Sequence, residues 1–109
     1  MASKQSTVDF VLDQLQEAGQ VSAKKMFGEY GLYLLDRMFA LICDDNLFVK
    51  PTPEGAELYP SAEMVPSYPG AKPCLLVPPD RWEDSEWLCN LAIATARALP
   101  PPKKRSKRA

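Results

Sequence analysis

The chain has 109 residues, 46% of them hydrophobic and 25% charged, the size and balance of one globular domain able to bury roughly two-thirds of its extended surface without disulfides or metal. No apolar run nears the roughly 20 residues that span a bilayer, the first ten residues lack the apolar core of a signal peptide, and the absence of histidine removes Ser-His-Asp and Cys-His catalysis and His-bearing zinc sites. The net charge of −1 is uneven: residues 1–102 hold eight basic and fourteen acidic side chains, a net of −6, whereas Lys103, Lys104, Arg105, Lys107 and Arg108 give residues 103–109 a net of +5.

The first predicted element is a helix over about 7–18. Val8, Val11, Leu12, Leu15 and Ala18 fall on one stripe, with Asp9, Asp13, Gln16 and Glu17 opposite. Ser6 and Asp9 have the spacing of a capping box, and Gly19 stands where a C-terminal cap belongs. Residues 26–50 read as three antiparallel strands, Met26–Leu35, Met38–Cys43 and Leu47–Lys50. Asp36-Arg37 and Asp44-Asp45-Asn46 punctuate them as hairpin turns. Gly28 and Gly31 inside the first strand point to a bulge or a close approach. Strands this apolar on both faces need cover on one face and a partner on the other.

Residues 51–73 are turn-rich, with six prolines. Glu54 to Leu58 can form a short helix with Pro53 at its first position. Glu63-Met64-Val65 and Cys74–Val77 read as short strands, the latter stopped by Pro78 and Pro79. The last helix starts near Asp84 or Ser85, with Trp87, Leu88, Leu91, Ala92, Thr95 and Leu99 on its apolar side. Pro100-Pro101-Pro102 ends it, and the basic segment that follows has the composition of a disordered tail. The expected core includes Phe27, Leu32, Leu41, Val49, Leu88 and Leu91. The expected fold is therefore α+β and two-layered: an antiparallel sheet of about five strands with helices on one side, in the order α-β-β-β-α-β-β-α. Residues 1–6 read as an arm, 7–99 as the domain, and 100–109 as a Pro-rich spacer and tail.

Little in the sequence carries chemistry. Cys43, Cys74 and Cys89 are odd in number, form no CxxC pair, and each sits in an apolar segment, so buried free thiols in a reducing cytoplasm are expected. Asp44-Asp45 and Glu83-Asp84 are the adjacent carboxylate pairs. Neighbours on a turn diverge, and acids at a helix start serve its dipole, so neither reads as a catalytic pair. FGEYG lacks the Lys-Ser or Lys-Thr of a phosphate loop. Tyr30, Tyr33, Phe39 and Phe48 lie on the predicted sheet, but base-stacking platforms interleave Lys and Arg, and here Arg37 and Lys50 face Glu29, Asp36, Asp44 and Asp45. Core or dimer contact is the better account. Polyanion contact falls to Lys103, Lys104, Arg105, Lys107 and Arg108, with Lys24-Lys25 a lesser patch. No cofactor, metal or catalytic residue is expected.

The stretch Met26-Phe27-Gly28-Glu29-Tyr30-Gly31-Leu32-Tyr33 resembles the signature of the TfoX/Sxy N-terminal domain. The likeness continues through Phe39-Ala40-Leu41-Ile42 and then Asp45-x-Leu47-Phe48-Val49-Lys50. It extends to the strand and helix of 74–99, so that it spans roughly 7–99. A departure is Leu75-Leu76, where the family commonly has aromatic residues. The resemblance implies a compact α+β domain in which Met26, Phe27, Gly28, Gly31, Leu32, Tyr33, Phe39, Asp45 and Lys50 are structural motif residues. Two-domain members regulate natural competence and carry a helical C-terminal domain. This sequence stops at 109, so a stand-alone N-terminal domain is expected. The resemblance brings no catalytic motif. The function expected is a non-enzymatic, cytoplasmic interaction domain with a regulatory role, binding a protein partner or a second copy and no membrane. The alternative is a nucleic-acid-associated accessory protein that binds weakly and without sequence preference through its tail. A small enzyme is a third reading, resting only on the presence of carboxylates.

Overall fold

In the computed structural model, which describes residues 4–26, 29–67 and 69–100, the stripe of Val8 and Val11 winds into helix α1 (Gln5–Gln14). Leu15 completes that buried stripe, and a 3₁₀ turn over Gln16–Ala18 follows. The helix begins two residues before its expected start, so Ser6 lies inside it and makes no cap. Lys4 is the N-cap residue, and no side chain of the first turn caps it. The cap comes instead from the distant Asp45, whose Oδ1 accepts the Lys4 amide at 2.8 Å and the Thr7 hydroxyl at 2.9 Å. Gly19 ends the turn at φ 131°, where a Cβ would stand 3.3 Å from Leu34 Cδ1.

The sheet has six strands, one more than expected: β1 (Ser22–Met26), β2 (Glu29–Leu34), β3 (Arg37–Cys43), β4 (Asn46–Val49), β5 (Glu63–Pro66) and β6 (Pro73–Val77). Their spatial order is β1-β2-β3-β4-β6-β5, and every neighbouring pair is antiparallel. The extra strand is β1. Its sequence, SAKKM, has no strand-like alternation, and it forms by pairing its backbone with β2, from Ser22 opposite Tyr33 to Met26 opposite Glu29. The lysines suit an exposed edge, which they protect from pairing with another chain. Gly28 lies outside the described residues, and the irregularity expected at Gly31 falls elsewhere. Gly31 pairs regularly with Lys24 and Leu41, and the register shifts at the next step, where Leu32 pairs with Ala40 and Tyr33 with Met38. Phe39 is the extra residue of that bulge. The bulge places Phe39 and Ala40 consecutively in one core.

Alternation along the strands divides two apolar clusters. Ala40, Ile42, Leu47, Val49, Leu75 and Val77 point to one face and pack with Val8 and Val11 of α1 and with Leu88 and Leu91 of the last helix. Cys43, Phe48 and Cys74 point to the other, with Leu41, Val65 and Leu76 against them. Leu32, Val49, Leu88 and Leu91 are buried as expected. Leu41 is not part of that core. The period of two turns it to the second face, where it is half-buried. Phe27 and Gly28 lie outside the described residues, as does the side chain of Met26.

Helix α2 (Pro53–Leu58) has Pro53 at its first position, and the Thr52 hydroxyl accepts the Gly55 amide at 2.9 Å. Helix α4 (Ser85–Ala98) starts at Asp84, whose carboxylate accepts the Trp87 amide at 3.2 Å. Between β6 and α4 a single turn, α3 (Pro79–Trp82), was not expected. Pro78-Pro79 stops the strand, and proline is also well suited to a first helical position, which Pro79 takes here. The turn seats Trp82, which is buried and donates its indole N–H to the Val77 carbonyl at 2.9 Å. The helices therefore cover one face of the sheet.

Candidate functional site

The second face has its own cluster but no helix among the described residues packs on it. Ser67, Pro69, Ala71, Lys72 and Pro73 border it, and with the sheet they line a hollow of about 1140 Å³. Met38, Leu41, Cys43 and Cys74 contribute from the strands, and Pro51, Ser67, Pro69 and Ala71 from the loops. A second hollow of about 400 Å³ adjoins it, sharing Cys43, Asp44, Ser67 and Pro69. A volume near 1000 Å³ with an apolar lining and a few polar groups is the usual form of a small-molecule site.

The polar groups of the larger hollow are sorted by position. Glu29 and Asp44 stand at the Cys43 end, where the Glu29 carboxylate accepts the Asp44 amide at 3.0 Å. Lys50 stands at the opposite end, its amide bonded to the Phe39 carbonyl at 2.9 Å. The ladder that sets Val49 opposite Leu75 brings Cys74 and the preceding Lys72 to that same end. Burial pushes the Cys43 thiol up, and the nearby Glu29, Cys74 and Asp44 add to the effect. Burial also pushes the Cys74 thiol up, against the pull of Lys50. Both sulfurs thus stay neutral and behave as apolar lining. Cys89 lies apart, on the helix side, with its thiol directed at the Gln14 carbonyl at 3.3 Å.

The four sheet aromatics are divided between the faces. Tyr30 and Phe39 join the helix-side core, Tyr30 donating its hydroxyl to Gln5 Oε1 at 3.2 Å. Phe48 belongs to the second face. Tyr33 pairs with Met38, and the Lys24 ammonium sits 5.0 Å from its ring centre. They form no shared stacking platform. Asp44 and Asp45 occupy the left-handed β3–β4 turn at φ 53° and 60°, and the bonds of Asp45 run to α1. The pair is a turn and a helix anchor. Among the described residues no group of three acidic, cysteine or histidine side chains could hold a metal ion, and no helix is long and apolar enough to cross a membrane. Lys103, Lys104, Arg105, Lys107 and Arg108 lie outside the described residues.

Residues 13–99 match the model of the TfoX N-terminal domain. The chain belongs to the TfoX N-terminal domain family. Over 105 residues it is 38% identical to a protein of Spirochaeta aurantia called "Uncharacterized 12.7 kDa protein in trpE 5'region", a match covering 96% of this chain and 90% of the relative. In this TfoX N-terminal domain the described motif residues have separable roles. Leu32 and Phe39 fill the helix-side core, Asp45 ties the β3–β4 turn to α1, and Lys50 stands at the rim of the hollow. Lys72 and the proline-rich wall carry no motif, and their one signal in the sequence is the proline density of 51–73.

Proposed function

We propose that this chain is a non-enzymatic interaction domain whose partner surface is the helix-free face of the sheet. The observation that carries the reading is the group of half-buried Leu41, Val65 and Leu76, which flank the buried Cys43, Phe48 and Cys74 on that face. Partly exposed apolar side chains gathered on one side of a small domain support a partner site. A protein partner fits the extended apolar strip, and a second copy of this chain is the first to test. Membership of a family whose two-domain members act in competence regulation supports a regulatory role in the cytoplasm.

Sedimentation at high micromolar concentration tests the homodimer. Leu76→Lys and Leu41→Lys should convert it to monomer while circular dichroism and the unfolding midpoint stay near those of the parent chain. A parent chain that is monomeric and captures no protein through this face removes the reading.

The charge of the last residues supports a second reading, an accessory role on nucleic acid. Five cations in residues 103–109 contrast with a net of −6 in the preceding 102 residues, and such a segment attracts phosphates by itself.

A further inference from the structure

We propose that the hollow between the helix-free sheet face and the loop residues Ser67, Pro69 and Ala71 binds a small amphipathic carboxylate, its alkyl chain on the strand floor and its headgroup at Lys50 and Lys72. This inference uses the face described above but does not depend on any protein partner.

Three observations lead to it. The first is shape and lining: about 1140 Å³ walled by Leu41, Met38, Cys43, Cys74 and prolines exceeds what one short side chain would need and matches a ligand site. Pro51, Pro69 and Pro73 are part of the lining, and the fixed φ of proline leaves less freedom to lose on binding.

The second is the arrangement of charge. The Cys43 end and the Phe39 end are four residues apart on β3, roughly 13 Å of strand. Glu29 and Asp44 mark the first end, Lys50 and Lys72 the second. The stretch between them has an apolar floor, so the hollow is a channel with a basic end.

The third is pairing. The Glu29 carboxylate is already engaged by the Asp44 amide. At the other end the Lys50 charge is felt at the Cys74 sulfur, and Lys72 lines the same hollow. An anionic headgroup there would meet the Lys50 ammonium beside a low-dielectric wall, where charge-assisted hydrogen bonds are strongest. The neutral thiols of Cys43 and Cys74 leave the floor uncharged for the chain.

The experiment titrates the full chain with decanoate below its micelle concentration, and in parallel with decanol and decylamine, by calorimetry and by two-dimensional amide NMR. Decanoate should bind more tightly than either analogue, and the amides of Leu41, Ala71 and Leu76 should shift while those of Cys89 and Leu91 stay. Lys50→Met with Lys72→Met should weaken decanoate about tenfold, the loss of a charged hydrogen bond, and bring it level with decanol. Lys50→Arg with Lys72→Arg should retain the preference and guards against a folding artefact. No decanoate binding, decanol or decylamine binding as tightly as decanoate, or shifts confined to the helix side would each overturn the proposal. Sedimentation of the same samples is read separately, so a failure here leaves the self-association result standing.

Discussion

Gly55 on α2 rests so closely on Thr95 of α4 that a Cβ at position 55 would stand 3.1 Å from the Thr95 hydroxyl oxygen and 3.1 Å from that of Thr52. Thr95 is fully buried, and Thr52 is already fixed as the cap that takes the Gly55 amide. Neither oxygen can retreat without losing packing or the cap. Alanine is the better helix former by ~1 kcal/mol, but overpacking a closed contact costs roughly 1–3 kcal/mol. Gly55→Ala should therefore destabilise the chain in urea unfolding. A gain in stability would show that the two threonines yield.

The turn between β2 and β3 offers the opposite case. Leu35 and Asp36 both have left-handed backbones, at φ 57° and 62°, and the Leu35 side chain is 54% exposed. The expected turn, Asp36-Arg37, is one residue late, because Arg37 pairs with Leu34 and its guanidinium donates to the Ala96 carbonyl at 3.0 Å. Leucine gains little from its exposed position and bears the Cβ strain of φ > 0, which asparagine tolerates better. Leu35→Asn should stabilise the chain by roughly 0.5–1 kcal/mol, read as a higher urea midpoint at unchanged slope.

These two sites show which parts of the fold were legible. Helix α4 could be read because its apolar spacing, its Asp84 cap and the following prolines all agree. Leu32 of β2 and Val49 of β4 could be read as core from the apolar pattern of their strands. Strand β1 could not, since nothing in SAKKM distinguishes an edge strand from a loop until Tyr33 and Glu29 stand beside it. Leu41 was misplaced because periodicity assigns residues to two faces without saying which one the helices cover. The hollow was invisible for a related reason. Lys50 and Lys72 are 22 positions apart, and only the β4–β6 ladder brings their ends of the strands together. Asp45 stands in the family motif, but its partner at the α1 N-cap, Lys4, is 41 positions away.

That contact makes stability depend on pH. The Lys4 amide, and then the Thr7 hydroxyl, hold the Asp45 carboxyl below the usual carboxylate range. A group whose folded pKa lies below its unfolded value stabilises fully above the unfolded value, about 3.9 for aspartate. That contribution fades as the pH falls through the lower folded value. Asp45→Asn should thus be less stable than the parent chain at neutral pH, and the difference should shrink on acidification below about pH 4. Urea unfolding of both chains across that range is the check. A difference that stays constant at low pH would mean that the lost stability is not that of the ionised carboxylate.

The basic segment separates the two functional readings. Its five cations follow three prolines and an acidic chain of net −6. Five cations displace about that many condensed counterions, so nucleic-acid binding through them should fall with salt at a log–log slope no steeper than roughly −4 to −5. It should show no preference between sequences, because phosphate contacts carry none. The acidic residues of 1–102 should weaken it further. Removing residues 103–109 should leave folding stability within about 0.5 kcal/mol of the full chain, the scale of exposed-surface changes, and should abolish binding to duplex or single-stranded DNA. Fluorescence anisotropy over a salt series, on the full and shortened chains, measures both quantities. Binding that persists in the shortened chain, or that discriminates between sequences, would place a reading surface on residues 1–102. The aromatics divided between Tyr30 and Phe39 on one face and Tyr33 and Phe48 on the other would then need a new account.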